Sequence, residues 1–135
     1  MKKKVIALFS IVAILGGGLM IWFSSPVDLL DLDPREVKKI VVFNGNTGQT
    51  THIDEKEQVQ HIIENLNDVQ VERTKPSVGA SGFGFDITIY PVDSNDTVGW
   101  HHFIINAEDV IRKDPFFYTV TRGTIDYSYI QSIVA

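Results

Sequence analysis

The stretch that decides the fold is FDITIYPV, residues 85–92. From residue 85 to residue 90 its apolar and polar side chains alternate, with Phe85, Ile87 and Ile89 on one side. A period of two predicts a strand with one face in a core and the other in solvent, which is typical of antiparallel sheets. We therefore expect the rest of the chain to be organised around such a sheet.

Further strand patterns occur on both sides of this stretch. They cover residues 36–43, 49–53 and 69–75 before it and residues 97–105, 110–112 and 116–121 after it. The NGNTG sequence at 44–48 predicts a hairpin turn, because Asn and Gly tolerate positive φ, and the DSND sequence at 93–96 predicts a polar turn. The chain is thus expected to form several short, mostly hairpin-connected strands.

One helix is predicted in the central part of the chain, beginning at Asp54. Asp54 at the N-cap with Glu57 three residues later matches a capping box. The apolar residues that follow at i, i+3, i+4 and i+7 spacing are Val59, Ile62, Ile63 and Leu66. This spacing places them on one face, which is the pattern of an amphipathic helix lying on a core.

A second helix is predicted at the C-terminus, over residues 124–134. Its apolar side contains Tyr129, Ile130, Ile133 and Val134. The order of elements indicates the α+β class: a mostly antiparallel sheet with the central-segment helix and the C-terminal helix on one face.

The N-terminus predicts a transmembrane helix that precedes this domain. Three lysines at positions 2–4 are followed by residues 5–23, which contain no charged side chain. A helix of that length covers about 28 Å, close to the roughly 30 Å hydrocarbon core of a bilayer. Residues 1–24 are therefore interpreted as a membrane anchor or uncleaved signal sequence, with Trp22 at the interface. A signal peptide cleaved near Ser24 is one alternative, and a buried core helix is another.

Charge around the apolar run predicts its orientation. Lysines precede it, whereas Asp28, Asp31 and Asp33 follow it, and basic residues stay on the cytoplasmic side. We expect a single-pass protein of the cell membrane with a cytoplasmic N-terminus and residues 25–135 outside the cytoplasm. Residues 25–35 are interpreted as a short stalk whose leucines are available to dock. Residues 36–135 are interpreted as an extracytoplasmic domain that folds alone.

Composition narrows the classes of partner. All seventeen acidic residues but only nine of the twelve basic residues lie after residue 24, which leaves a formal net charge of −8 on residues 25–135. A nucleic-acid partner requires a basic face and is not expected, and the acidic surface argues against direct adsorption to anionic lipid. The chain has no cysteine, which excludes disulfides, a cysteine nucleophile and a lipid-modified cysteine.

Several short motifs in this domain resemble a known group of proteins. They are FNGNTG at 43–48, ID at 53–54, GFGF at 82–85, ITIY at 87–90, FIIN at 103–106, IR at 111–112, FFY at 116–118 and IDY at 125–127. Over residues 36–133 the chain is similar to small membrane-anchored or exported domains of Gram-positive Firmicutes with no assigned function. This resemblance implies a location and a fold, and it supplies no catalytic residues.

His101 and His102 are the first candidates for chemistry. Adjacent side chains on a strand point to opposite faces, so the two imidazoles are not expected to share a metal. A zinc site needs three or four converging ligands, and no spacing in the sequence joins these residues to His52 or His61. We therefore expect no metal site, no cofactor and no catalytic constellation, and we interpret both histidines as ordinary strand residues.

Phe83 is the candidate for a partner contact. It lies in the glycine-rich loop GASGFG, residues 79–84, which lacks the spacing of a phosphate-binding loop. The first hypothesis is a membrane-tethered, non-enzymatic module that binds a protein or an envelope component. The alternative is a small envelope enzyme that uses His101 or His102 with an acidic partner. A third possibility is a structural or regulatory subunit that acts through the span itself.

Overall fold

The computed structural model describes residues 1–93, 95, 99 and 101–134. Its helices are α1 (Lys2–Ser24), α2 (Lys56–Asn67) and α3 (Tyr127–Val134), with a 3-10 turn at Pro34–Glu36. Its strands are β1 (Val27–Asp28), β2 (Val37–Asn44), β3 (Gln49–Ile53), β4 (Gln70–Pro76), β5 (Phe85–Pro91), β6 (His101–Ala107), β7 (Val110–Lys113) and β8 (Phe116–Arg122).

The described strands form one eight-stranded sheet in the order β1-β4-β8-β7-β6-β5-β2-β3. Every neighbouring pair is antiparallel. Strands β5 to β8 form a meander at the centre, the hairpin β2–β3 extends one side and β4 with β1 extends the other. The α+β class predicted from the sequence is confirmed.

Strand register locates two regions of this sheet. Phe116, at the start of β8, pairs with both Lys113 and Pro76; we call this region the junction end. Phe85, at the start of β5, pairs with both Asn44 and Ile105; we call this region the tip end. Phe85 is level with Tyr118, two residues from Phe116, so the two regions are about 7 Å apart along the strands and three strand spacings, about 14 Å, apart across the sheet.

The core lies on one face of the sheet, beneath α2 and α3. The residues 85–91 alternate between buried and partly exposed positions, as their period of two predicted. The four apolar residues predicted for the inner side of α2 are all buried. On α3, Ile130 and Val134 are buried, and Tyr129 and Ile133 pack against the same core while remaining partly exposed.

The beginning of α2 differs from the prediction. The helix begins at Lys56 with Glu55 at the N-cap, and no side chain caps it. The capping box predicted at Asp54 and Glu57 is therefore wrong. The reason is that β3 ends at Ile53 and the chain stays extended through Glu55, whose φ and ψ are −64° and 126°. Asp54 consequently lies two residues outside the helix.

The segment predicted as a stalk, residues 25–35, lies along the domain. β1 pairs with β4, and the backbone N–H of Leu29 donates to the carbonyl of Val69 at 2.9 Å. Leu29 and Leu30 are buried members of the core. The Asn67 side chain accepts from the Leu32 N–H at 3.1 Å and donates to the Leu32 carbonyl at 2.7 Å. This segment crosses from the span to β2 as part of the folded unit.

Helix α1 is long and apolar enough to cross a membrane, and its apolar window is entirely exposed. That exposure excludes the alternative of a core helix. A signal sequence near the N-terminus has the same length and composition as an anchor.

The remaining strand boundaries agree with the predictions to within about two residues wherever residues are described. The predicted strand 97–105 is observed from His101 to Ala107, while Thr97, Val98 and Trp100 lie outside the described residues. Ser94 and Asp96 of the predicted polar turn also lie outside them.

Candidate functional site

The loop between β4 and β5, residues 77–84, runs along the sheet from the junction end to the tip end. It begins at the buried Ser77, whose hydroxyl donates to Asp114 and whose N–H donates to the Pro115 carbonyl at 2.8 Å. Arg112 Nη1 then donates to the Ala80 carbonyl at 2.6 Å. Both the start and the middle of the loop are therefore hydrogen-bonded to the β7–β8 hairpin.

The last residues of the loop are hydrogen-bonded to the domain at the tip end. Asn106 Nδ2 donates to the Phe83 carbonyl at 3.2 Å, and the Gly45 N–H donates to the Gly84 carbonyl at 2.9 Å. A Cβ on Gly84 would lie 2.3 Å from the Ile105 carbonyl oxygen, so only glycine permits this close approach. Hydrogen bonds from two strands and a turn thus hold the backbone around Phe83 in one place.

The Phe83 side chain itself is 72% exposed. Two further exposed apolar side chains are Val78, at the start of the same loop, and Phe43, which is 44% exposed at the next-to-last position of β2. A phenylalanine held by its backbone but not covered by the core has an unsatisfied apolar surface. This arrangement is suited to contact with another molecule.

The two adjacent histidines lie on opposite faces of β6, as expected from strand geometry. His101 is half-buried on the core side, and burial, followed by the charge of Lys113, lowers the pKa of its imidazole. His102 is on the open side, with its Nε2 2.6 Å from Asp86 Oδ1. Register brings the two together, because His102 pairs with Thr88, two residues from Asp86 on β5.

The His102–Asp86 pair is open to solvent. The side chain of His102 is 61% exposed and that of Asp86 is 34% exposed. Hydrogen bonds from Arg112 and then from Ser77 lower the pKa of the Asp114 carboxyl, and the electrostatic effect of His102 lowers it further. Among the described residues, no nucleophile is hydrogen-bonded to this pair.

A second histidine–carboxylate pair joins α2 to the start of α3. His61 Nε2 lies 2.9 Å from Asp126 Oδ2, and the His61 ring lies 3.9 Å from the Tyr129 ring. Asp126 caps α3 by accepting from the Tyr129 N–H, and its own N–H donates to Asn65. The hydrogen bond from His61 is the main cause that lowers the Asp126 pKa. These contacts hold α2 and α3 against each other, so we assign this group of residues a structural role.

A cavity of about 540 Å³ lies between the 3-10 turn, the start of β2 and α2. Its charged lining residues are Asp33, Arg35, Lys38, Asp54, Lys56 and Glu64. Asp33 accepts from the Arg35 side chain at 2.6 Å, and this bond lowers the pKa of Asp33. Ligand pockets are mostly apolar with a few converging polar groups, whereas this lining carries charges of both signs and includes no histidine.

No group of three or more His, Asp or Glu side chains that could hold a metal occurs among residues 1–93, 95, 99 and 101–134. Comparison with known protein families, curated proteins and solved structures finds no match to this chain. The function of the chain is therefore inferred from its own geometry.

Proposed function

We propose that this chain is a single-pass membrane protein whose domain, displayed outside the cytoplasm, binds a protein or an envelope component without catalysing a reaction. The observation that carries this proposal is the exposed Phe83 side chain on a loop whose backbone is hydrogen-bonded at several points. Aromatic side chains in rigid settings are favourable binding anchors, because little conformational entropy is lost when a partner covers them.

The position of Phe83 relative to the anchor supports the same proposal. Helix α1 meets the domain at the junction end, where its residues Trp22 and Phe23 contact Phe116. Phe83 lies at the tip end, beside β5 and three strands across the sheet from β8, which carries Phe116. The contacts with the span therefore leave the exposed Phe83 side chain accessible to molecules of the cell envelope.

Photo-crosslinking in intact cells tests this proposal. A photoreactive phenylalanine analogue replaces Phe83 in the full chain, and the same analogue replaces the exposed Gln60 or Gln131 side chain in separate controls on α2 and α3. We expect a defined crosslinked product from position 83 and none from the controls. Phe83→Ala is expected to abolish co-purification of the partner identified in that product. Equal crosslinking at all positions, or a large loss of thermal stability in Phe83→Ala, would contradict the proposal.

A second candidate function is acid–base chemistry at the open face, and the 2.6 Å contact between His102 and Asp86 favours it. A histidine held by a carboxylate is a common general base. Its solvent exposure argues against this use, since catalytic pairs act in clefts that exclude water. Loss of a cellular activity in both His102→Gln and Asp86→Asn, with Phe83→Ala fully active, would support the enzyme and overturn the binding module.

A further inference from the structure

Strand β3 is the longer of the two outer strands of the described sheet. It contains five residues, whereas β1 at the opposite edge contains two. All five residues of β3 pair with β2 without a register shift. The outer side of such a strand presents backbone N–H and C=O groups that have no neighbouring strand to bond, and these groups are a template for a further strand.

The hydrogen bonds of β2 show which backbone groups of β3 are unpaired. In an antiparallel ladder, the N–H and C=O of one residue point to the same neighbouring strand, and those of the next residue point to the opposite side. The Gly45 N–H donates to the Gly84 carbonyl at 2.9 Å, at the end of the β2–β5 ladder. The backbone groups of Phe43, two residues away, are therefore also directed to β5, and those of Asn44 are directed to β3.

The same alternation continues along β3. Asn44 pairs with Gln49, so the backbone groups of Gln49 and of the alternate residue Thr51 are directed to β2. The N–H and C=O groups of Thr50 and His52 consequently point away from the sheet. Outside the ladder with β2, no described residue is hydrogen-bonded to these four groups.

Strand β3 lacks the features that usually protect an outer strand from pairing. Its sequence, QTTHI, contains no lysine, proline or glycine, and its pairing with β2 contains no bulge. The side chains of Thr50 and His52 are exposed. Lysine, proline and bulges are common means by which proteins prevent the addition of a strand. Without them, this edge is able to accept one.

An exposed ring beside β3 indicates which side chain an added strand would carry. Phe43 is 44% exposed, and its cross-strand neighbours are Thr50 on β3 and Asp86 on β5. A residue paired with Thr50 on an added strand would lie on the same side of the sheet, two strand spacings or about 10 Å from Phe43. Because threonine is short, an aromatic side chain at that position can extend over it towards the Phe43 ring, and aromatic contacts across strands are stabilising.

Charge and position indicate that the added strand belongs to another protein. Residues 25–135 carry seventeen acidic and nine basic side chains, so two copies of this domain repel each other. Strand β3 begins at the tip end, directly after the turn whose Gly45 is hydrogen-bonded to the loop that carries Phe83. The edge is therefore continuous with the surface to which the proposed function assigns partner binding.

We infer that β3 binds an extended, non-acidic segment of a partner protein, which adds to the sheet as a further strand and places an aromatic side chain over Phe43. This inference rests on the proposed function as a binding module and names the class of partner, a protein recognised mainly through its backbone. The outward groups of Thr50 and His52 form hydrogen bonds with that backbone, and side chains at alternate positions supply the specificity.

Binding of a synthetic peptide to the full chain in phosphatidylcholine nanodiscs tests this inference. The probe is the N-acetylated peptide Lys-Thr-Val-Thr-Phe-Thr with a fluorophore at its C-terminus; antiparallel pairing places its Phe opposite Thr50 and its Val opposite His52. Two isomers form a matched pair, one N-methylated at the Phe and the other at the Thr between Val and Phe. The first methyl group faces β3 and blocks a hydrogen bond, whereas the second points away from it.

We expect saturable binding, measured by fluorescence anisotropy. N-methylation of the Phe is expected to weaken it about ten-fold or more, because a hydrogen bond and the close approach of the backbones are lost, and N-methylation of the Thr is expected to change it little. In the chain, Thr50→Pro removes one outward N–H and is expected to cause a similar loss, whereas Thr50→Val keeps the backbone and is the control. Proline is tolerated in an outer strand where its N–H would face solvent, and thermal melts verify folding. His52→Pro provides a second variant of the same kind.

Hydrogen exchange of the free chain gives an independent measurement. We expect slow exchange of the Thr51 amide and fast exchange of the Thr50 and His52 amides, which become slow when the peptide binds. Equal exchange at the three positions, equal binding of the two methylated isomers, or no saturable binding would overturn the inference. A covalent dimer of Thr50→Cys chains without peptide binding would overturn it in favour of a second copy. Peptide binding with the expected isomer preference, but without a crosslink from position 83 in cells, would support the inference and contradict the part of the proposed function that depends on Phe83.

Discussion

Residues 25–35 are expected to be necessary for the stability of the domain, and the clearest perturbation is Leu30→Ala. Leu30 is only 3% exposed and belongs to the same core as the helix face of α2. It lies in a segment that sequence patterns describe as a stalk, because the segment has two prolines, three aspartates and no periodicity. The substitution therefore separates a docked segment from a free linker.

The size of the effect follows from burial. A buried Leu→Ala substitution costs about 2–5 kcal/mol, since the transfer free energy of the removed atoms is lost and a cavity remains. A domain of about 110 residues has roughly 5–15 kcal/mol of total stability and a melting temperature that changes by about 4 °C per kcal/mol. We expect Leu30→Ala to lower the melting temperature by about 8–20 °C.

Truncation gives a larger effect through the same contacts. A chain beginning at residue 36 lacks the buried Leu29 and Leu30, whose burial contributes about 1.5–3 kcal/mol each, and it also lacks β1. It is expected to be partly unfolded at 37 °C, in contrast to the sequence-based expectation that residues 36–135 fold alone. A chain beginning at residue 25 retains both leucines.

Thermal unfolding of the full chain in detergent micelles, followed by near-ultraviolet circular dichroism, measures these differences. The control is Asp31→Ala, which changes an exposed side chain in the same segment. We expect the control to melt within about 2 °C of the parent, as is usual for surface substitutions. If Leu30→Ala melts like Asp31→Ala, the segment does not contribute to the core and the reasoning is refuted.

Ile62→Asp places an unpaired charge in the core and is expected to unfold the domain, whereas the same change at the exposed Gln60 should leave its melting temperature nearly unchanged; parallel thermal melts decide this. Replacing both histidines of β6 by glutamine is expected to leave metal content and partner binding unchanged, and stoichiometric zinc that disappears in the double variant would contradict the non-enzymatic proposal. The pKa of Asp126 is lowered by His61, so its contribution to stability is present above its unfolded pKa of about 3.9 and is lost as pH falls through its folded pKa. Asp126→Asn should therefore reduce the free energy of unfolding near pH 6 and have progressively less effect below about pH 4; a pH-independent difference would be the contrary result.

Much of the fold could be predicted from local patterns. The strand at residues 85–91 and the face of α2 follow directly from periods of two and 3.6, because the burial of each side chain depends on the direction in which the backbone points it. The exposure of Phe83 could be anticipated from the glycines around it, which form no pattern that would bury an aromatic. These features require only nearby sequence.

The contacts that sequence reasoning missed are all between distant segments. The short strand β1 contains two residues, too few for any periodicity, and it exists only because β4 is beside it. The bond between His102 and Asp86 depends on the register of β5 against β6. The contact of Arg73 with Trp22 joins residues fifty-one positions apart. No local signal identifies such pairs.

Labelling of single cysteines in intact cells tests the central claim most directly, namely that α1 is an uncleaved anchor and the domain lies outside the cytoplasm. Asn46→Cys and Lys3→Cys are introduced separately into the full chain, and a membrane-impermeant maleimide is added before or after permeabilisation. We predict labelling of position 46 without permeabilisation, labelling of position 3 only after it, and recovery of both full-length chains with the membrane. Labelling of position 3 in intact cells, or a shortened chain released into the medium, would contradict the account.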